Sequence, residues 1–257
     1  MFYSLRKKLE VGEPIFGPVI TLNCPEIAEI FTAVGFDWLF VDMEHGVLDI
    51  QGVQKILQAT QGQCSCIIRA PSGEEVWIKK ILDTGAEGIL IPHVNTAEEA
   101  RKVVEFCKYP PQGSRSVGIS RAQGFGLQFQ EYMNKANQNI LVIIQVEHIK
   151  AVENIESIVK VPGIDAVFIG PYDLSGSMGK IGKVKDSEVL QKIDLVSTAC
   201  IEAGLPLGIF GIDVDAVQPY INKSFTLIAV GVDTMFLGAS AQKTLAKLRS
   251  RQVKQEL

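Results

Sequence analysis

Short apolar runs rich in Val, Ile and Leu alternate along this chain with longer segments in which apolar residues recur at helical spacing. The runs predict strands near 17–22, 37–42, 65–70, 88–92, 141–147, 164–169, 206–209 and 226–231. Helical periodicity falls between and after them, near 25–34, 49–61, 74–84, 96–107, 150–159, 186–203, 213–222 and 239–250. Several of the strands are continuously apolar, as expected where a parallel sheet is covered on both faces. Eight strand-then-helix units predict a (β/α)8 barrel; a doubly wound open sheet accounts for six units but not eight.

Two stretches break the rhythm. Residues 109–126 (YPPQGSRSVGISRAQGFG) separate the fourth and fifth strands, and residues 170–184 (GPYDLSGSMGKIGKV) follow the sixth. Loops of this length in a compact barrel carry function more often than not, so both are expected at the active-site mouth. Part of the first, coming after a helix, is expected to return along the barrel wall.

Composition narrows the class further. The 257 residues include 25 Lys plus Arg and 29 Asp plus Glu, a net charge of −4, with 47% hydrophobic and 21% charged positions. That is the profile of a globular protein able to bury a large core without staples, and it lacks the basic stripe of a nucleic-acid binder. Five cysteines with no CxxC pair read as reduced core or strand thiols. With no apolar signal segment and no membrane-length apolar run, the expected location is the cytoplasm. One domain over 1–257 is the expected organisation.

In a parallel barrel the chemistry gathers at the C-terminal strand ends. Strand two ends in Asp42-Met43-Glu44-His45-Gly46, strand three at Arg69, and strand five in Gln145-Val146-Glu147-His148; strand six runs into Gly170-Pro171-Tyr172-Asp173. Glu147 and Asp173, on adjacent strands, offer hard oxygen ligands suited to Mg2+ or Mn2+. Against this stands the reading that Glu147 opens a helix and Asp173 caps a turn. Arg69 is suited to fork a substrate carboxylate, or equally to pair with Asp42 or Glu44. His45 is a candidate general base, although a lone strand-end histidine is often structural. His93 and His148 stand at comparable positions, but the three spacings fit no zinc motif. No predicted strand end carries a lysine, which disfavours Schiff-base chemistry. The GFG at 124–126 follows no strand into a helix, so it marks no dinucleotide site.

The blocks FDWLFVDMEHGVLD, IIRAP, KKILDTGAEGILIPHVNTAEEARKVVEFCKYPPQGSRSVG, IIQVEHIKAVENIESI and GIDAVFIGPYDLSGSMG resemble the HpcH/HpaI aldolase family over residues 5–248. The resemblance implies a barrel of the phosphoenolpyruvate/pyruvate type and a metal-dependent class II pyruvate aldolase, which cleaves a 4-hydroxy-2-oxo acid to pyruvate and an aldehyde. Such enzymes serve aromatic or sugar-acid catabolism. It implies that Glu147 and Asp173 bind Mg2+ or Mn2+, or Co2+; that Arg69 binds the pyruvyl group; and that His45 is the acid/base residue, paired with Asp83. From its own surroundings in the sequence Asp83 reads as a solvated helix residue. Substrate contacts are further implied for Gln145, Tyr172 and Asp173, and a hexamer, a trimer of dimers, in which the C-terminal helix near 239–251 is exchanged between subunits. Tyr172, His93 and His148 depart from common family residues and bear on the aldehyde partner. An oxaloacetate decarboxylase of the same superfamily, a CoA-ester lyase and a non-catalytic 2-oxo-acid-binding barrel are the alternatives.

Overall fold

The computed structural model describes residues 5–253. Eight parallel strands close into a barrel in sequence order: β1 (Ile15–Ile20), β2 (Trp38–Asp42), β3 (Ser65–Arg69), β4 (Gly88–Ile91), β5 (Leu141–Val146), β6 (Ala166–Ile169), β7 (Leu207–Gly211) and β8 (Leu227–Val232). The eight expected strands are all present, with ends displaced by up to two residues.

The helices follow in the same order. A short α1 (Leu5–Val11) precedes β1, and α2 (Pro25–Val34), α3 (Ile50–Ala59), α4 (Glu75–Asp83) and α5 (Ala97–Cys107) follow the first four strands. Then come α6 (Phe129–Asn139) before β5, α7 (Ile149–Glu153) and α8 (Ile155–Ile158) after it, α9 (Pro171–Ser177) and α10 (Ser187–Glu202) after β6, α11 (Val214–Ile221) after β7, and α12 (Asp233–Val253) after β8. Local chemistry sets several starts. Asp49 accepts a bond from the Gly52 amide at the head of α3, and Thr96 and Glu99 form a reciprocal capping box on α5. Helical periodicity over 150–159 resolves into two pieces at Asn154, whose side-chain amide donates to the Asn95 carbonyl at 2.9 Å.

Two apolar layers hold the fold. The outer one lies between strands and helices; the inner one fills the barrel with Val19, Trp38, Phe40, Ile67, Ile143, Phe168 and their neighbours. Leu5 and Leu9, four residues apart on one face of α1, join the inner layer and close the base of the barrel.

The insertion over 109–126 departs from expectation. It leaves α5 at the N-terminal ends of the strands, so it lies at the base and not at the mouth. Arg121 donates to the Thr84 carbonyl at 2.6 Å and Arg115 pairs with Asp83 at 2.7 Å, both at the end of α4. The chain then returns through α6 before entering β5. The insertion after β6 does leave from the mouth, through α9.

Candidate active site

Side chains alternate along a strand, so the residue two positions beyond an inward-facing one also faces inward. Phe40 leads to Asp42, Ile67 to Arg69, and Ile143 to Gln145 and then Glu147. The apolar filling of the barrel thus ends in a polar layer at its C-terminal rim. Asp42 and Arg69 are register partners across β2 and β3. Arg69 Nε and one terminal nitrogen donate to the two Asp42 oxygens at 2.8 and 2.7 Å. Its other terminal nitrogen lies 3.2 Å from Glu44, and the guanidinium stacks 5.2 Å from the centre of the Phe40 ring. Both carboxylates named as possible partners of Arg69 are therefore engaged. Burial opposes the charge on Arg69, but Asp42, Glu44 and Glu147 outweigh it and push its pKa up. Two of its five N–H donors are committed to Asp42, which leaves others for a substrate.

The turn after β2 carries Glu44 and His45. Asp42 accepts from the amides of both, at 3.0 and 3.4 Å, and a Cβ on Gly46 would collide with the Asp42 carbonyl oxygen. His45 is largely exposed, lines the mouth cavity, and has Nε2 3.9 Å from Glu44 Oε2. Burial pushes the Glu44 carboxyl up, against the pull of Arg69.

Across the mouth, Glu147 is 3% exposed. It accepts from the His93 backbone amide at 2.7 Å and from the Gln145 side-chain amide, and His93 Nδ1 stands 3.1 Å from its Oε1. His93 Nε2 lies 3.1 Å from Glu44 Oε1, so the ring bridges two carboxylates. Ligand atoms of Glu44, His93 and Glu147 lie within 4.8 Å of one another. Gln145 Oε1 is buried without a hydrogen-bond partner, and the equally buried Glu44 Oε2 has the Arg69 guanidinium 3.2 Å away. A buried oxygen without a partner is costly unless a cation or donor meets it, and with the Glu44–His93–Glu147 donors close by the set fits a divalent ion.

A cavity of about 240 Å3 opens beside these groups, with Arg69, His45, Gln145, Tyr172 and Asp173 on its lining. Asp173 is exposed in the first turn of α9, outside the Glu44–His93–Glu147 cluster. Tyr172 is half-buried, its ring 6.2 Å from that of Phe210. His148 caps α7 by accepting from the Lys150 amide at 3.1 Å. Asp83 is not brought to the mouth. It ends α4 at the barrel base, where it holds the fully buried Arg115, and the nearest carboxylate partner recorded for His45 within the chain is Glu44. A larger cavity of about 450 Å3 lies at the base beside Arg6, Glu131 and Lys135, away from the strand ends that carry barrel chemistry. Asp42, Glu44 and His93 had no assigned role in the chemistry from sequence; the inward register after Phe40 points to Asp42, whereas nothing in the pattern anticipates the His93 bridge.

A parallel barrel whose rim joins a forked Asp–Arg pair to a carboxylate–histidine cluster places the candidate active site at the C-terminal strand ends, where barrel enzymes carry their chemistry. The chain belongs to the HpcH/HpaI aldolase/citrate lyase family, whose model matches residues 19–239, and this family membership makes it a carbon–carbon lyase. It is 35% identical to a 4-hydroxy-2-oxovalerate aldolase of Novosphingobium aromaticivorans over 96% of this chain and 95% of the relative. It is 32% identical to a hydroxypyruvate/pyruvate aldolase of Paraburkholderia phytofirmans over 96% and 97%. A solved HpcH/HpaI aldolase/citrate lyase family protein from Burkholderia cenocepacia superposes with a TM-score of 0.92 at 32% identity, covering 95% of this chain and 98% of that one.

Proposed function

We propose that this protein is a divalent-metal-dependent aldolase that reversibly cleaves a 4-hydroxy-2-oxo acid to pyruvate and an aldehyde. The observation that carries the reading is the buried Glu147, held by the Gln145 side-chain amide, beside a small cavity lined by Arg69, Gln145 and Asp173. The names of the relatives above support the same chemistry.

Glu147 and Asp173 would hold the cation, Mg2+, Mn2+ or Co2+. When bound, it supplies Lewis-acid polarisation to the 2-oxo group of the substrate. Gln145 orients Glu147 through its side-chain amide. Arg69, held by Asp42, turns its remaining donors to the pyruvyl oxygens, where negative charge grows as the C3–C4 bond breaks. His45 accepts the 4-hydroxyl proton in cleavage and returns it in condensation. Tyr172 and Phe210 form an apolar wall that bears on the aldehyde. Asp83, bound to Arg115, is given no step in this scheme.

The assembly belongs to the same reading. Met235, Phe236, Leu237, Leu245 and Leu248 on α12 are exposed in the single chain. Their exposure supports an assembly in which α12 covers a neighbouring subunit, and the assembly proposed is a hexamer, a trimer of dimers. Among the described residues no helix is long and apolar enough to cross a membrane.

The test is pyruvate release from a panel of 4-hydroxy-2-oxo acids, with and without EDTA. Metal-dependent release, lost in Arg69→Ala and Glu147→Ala, is the expected result. Release from oxaloacetate alone would replace the aldolase with a decarboxylase, and no release from any member would leave a binding protein.

A further inference from the structure

His93 is the side chain on this rim that the scheme above leaves without a task. It follows Pro92 at the end of β4 with a backbone φ of +58°, a left-handed conformation uncommon for a residue with a side chain. The local structure pins it there: its amide donates to Glu147 Oε1 at 2.7 Å and its carbonyl accepts from the Asn95 side chain at 3.0 Å. That backbone turn sets the imidazole between Glu147 and Glu44, 3.1 Å from each.

Although it sits in this slot, the ring is about two-thirds exposed, so hydrophobic burial does not explain its placement. Two ligands at right angles, each about 2.1 Å from one ion, lie about 3 Å apart. The Nδ1–Oε1 separation of 3.1 Å already meets that requirement. A metal-bound histidine characteristically gives its second nitrogen to a carboxylate that fixes the ring, and Glu44 stands at Nε2 in that role. Gln145, whose amide nitrogen holds Glu147, keeps its own oxygen buried without a hydrogen-bond partner, so this polar set retains an open acceptor.

We propose that His93 Nδ1 is a protein ligand of the divalent cation beside Glu147, so that the site prefers Mn2+ or Co2+ to Mg2+. This rests on the metal-dependent reading above and extends it from oxygen donors to a mixed nitrogen–oxygen set. Imidazole favours the later first-row ions, whereas Mg2+ is held by oxygen and gives up water reluctantly.

The test uses the full-length protein stripped of metal and reloaded with Mn2+. Pulsed EPR reads 14N modulation from a coordinated imidazole, and equilibrium dialysis gives the Mn2+ and Mg2+ affinities. His93→Asn is the variant, because Asn tolerates positive φ, and circular dichroism confirms its fold. Histidine modulation in the wild type that disappears in H93N, with Mn2+ affinity reduced roughly tenfold or more and Mg2+ affinity nearly unchanged, is the expected outcome. Mn2+ bound without nitrogen modulation, or modulation that survives in H93N, overturns this assignment and leaves the aldolase reading standing. Failure of the wild type to bind Mn2+ or Mg2+ overturns both.

Discussion

Asp42 and Arg69, paired in register across β2 and β3, form a two-point fork of 2.8 and 2.7 Å at the top of the barrel filling. Asp42 is 2% exposed and also holds the turn that carries Glu44 and His45. One carboxylate therefore aims the cation of the site and the turn of its candidate base. Removing it strands a buried guanidinium with only Glu44 beside it. Asp42→Ala is expected to cost about 3 kcal/mol in urea unfolding, and Asp42→Asn clearly less, because the amide keeps an acceptor for Arg69. An Ala variant as stable as the wild type would show that the fork carries no structural weight.

The fork also separates a substrate role for Arg69 from a purely structural one. Lysine at this position keeps the charge but cannot meet Asp42 at two points while offering further donors to a substrate. Arg69→Lys is expected to lower kcat/KM for pyruvate release by about 100-fold with the fold intact by circular dichroism. A loss of about threefold or less would reduce Arg69 to a strut between strands.

The cysteines give a prediction independent of the chemistry. All five are free, and burial pushes Cys64 up to about 11 and Cys107 and Cys200 up to about 12, with Cys66 raised as well. Cys24 is the half-exposed one, at the head of α2, where its thiol donates to Glu26 at 3.2 Å. Native protein treated with iodoacetamide near pH 8 is expected to take up one label by mass spectrometry, and five in denaturant. Rapid labelling of a second thiol would show that the barrel wall opens.

The barrel was legible because its strands are apolar on both faces, and the rim residues because a strand end and a period of two locate them. Arg69, Gln145, Glu147 and His45 come to the mouth by that logic alone. Elements that bury little were not legible. LRKKLEV offers two apolar contacts, Leu5 and Leu9, and α6 buries only Ala136, so neither shows a long apolar stripe. The first insertion reads as a mouth loop from its Gly, Pro and Arg content, yet the ion pair of Arg115 with Asp83 and the hydrogen bond of Arg121 to the Thr84 carbonyl bind it to the base. The bridge made by His93 depends on one backbone angle and on the approach of two distant loops, which no local pattern encodes.

Glu44 supplies a pH dependence in the metal-free protein. Its carboxyl is held above the ordinary 4.5 chiefly by burial, so folding favours its protonated form. The stability this contributes is present below the ordinary carboxylate range and is lost as pH rises through the raised value. Glu44→Gln removes that dependence. In EDTA-treated samples, urea unfolding between about pH 4 and 7 is expected to show wild type losing stability relative to E44Q as pH rises. A constant difference across the range would mean that Arg69 and His93 cancel the burial of Glu44.

Gly170 offers a way to move Glu147 without altering it. The residue sits between β6 and α9 at φ −96°, a conformation alanine adopts without strain. A Cβ there would lie 3.0 Å from Glu147 Cβ, 3.3 Å from its Oε2 and 3.4 Å from the Gln145 amide nitrogen. Glu147 would have to give way by a few tenths of an ångström at its Cβ and carboxylate, whereas the Gln145 amide stays at ordinary contact. Carboxylate position matters more for an ion than for packing, because a coordination bond is short and directional whereas the neighbouring cavity can absorb the shift. Gly170→Ala is therefore expected to weaken Mn2+ binding about tenfold in equilibrium dialysis while unfolding free energy changes by about 1 kcal/mol or less. Equal Mn2+ affinity in G170A and wild type would remove Glu147 from the ligand set.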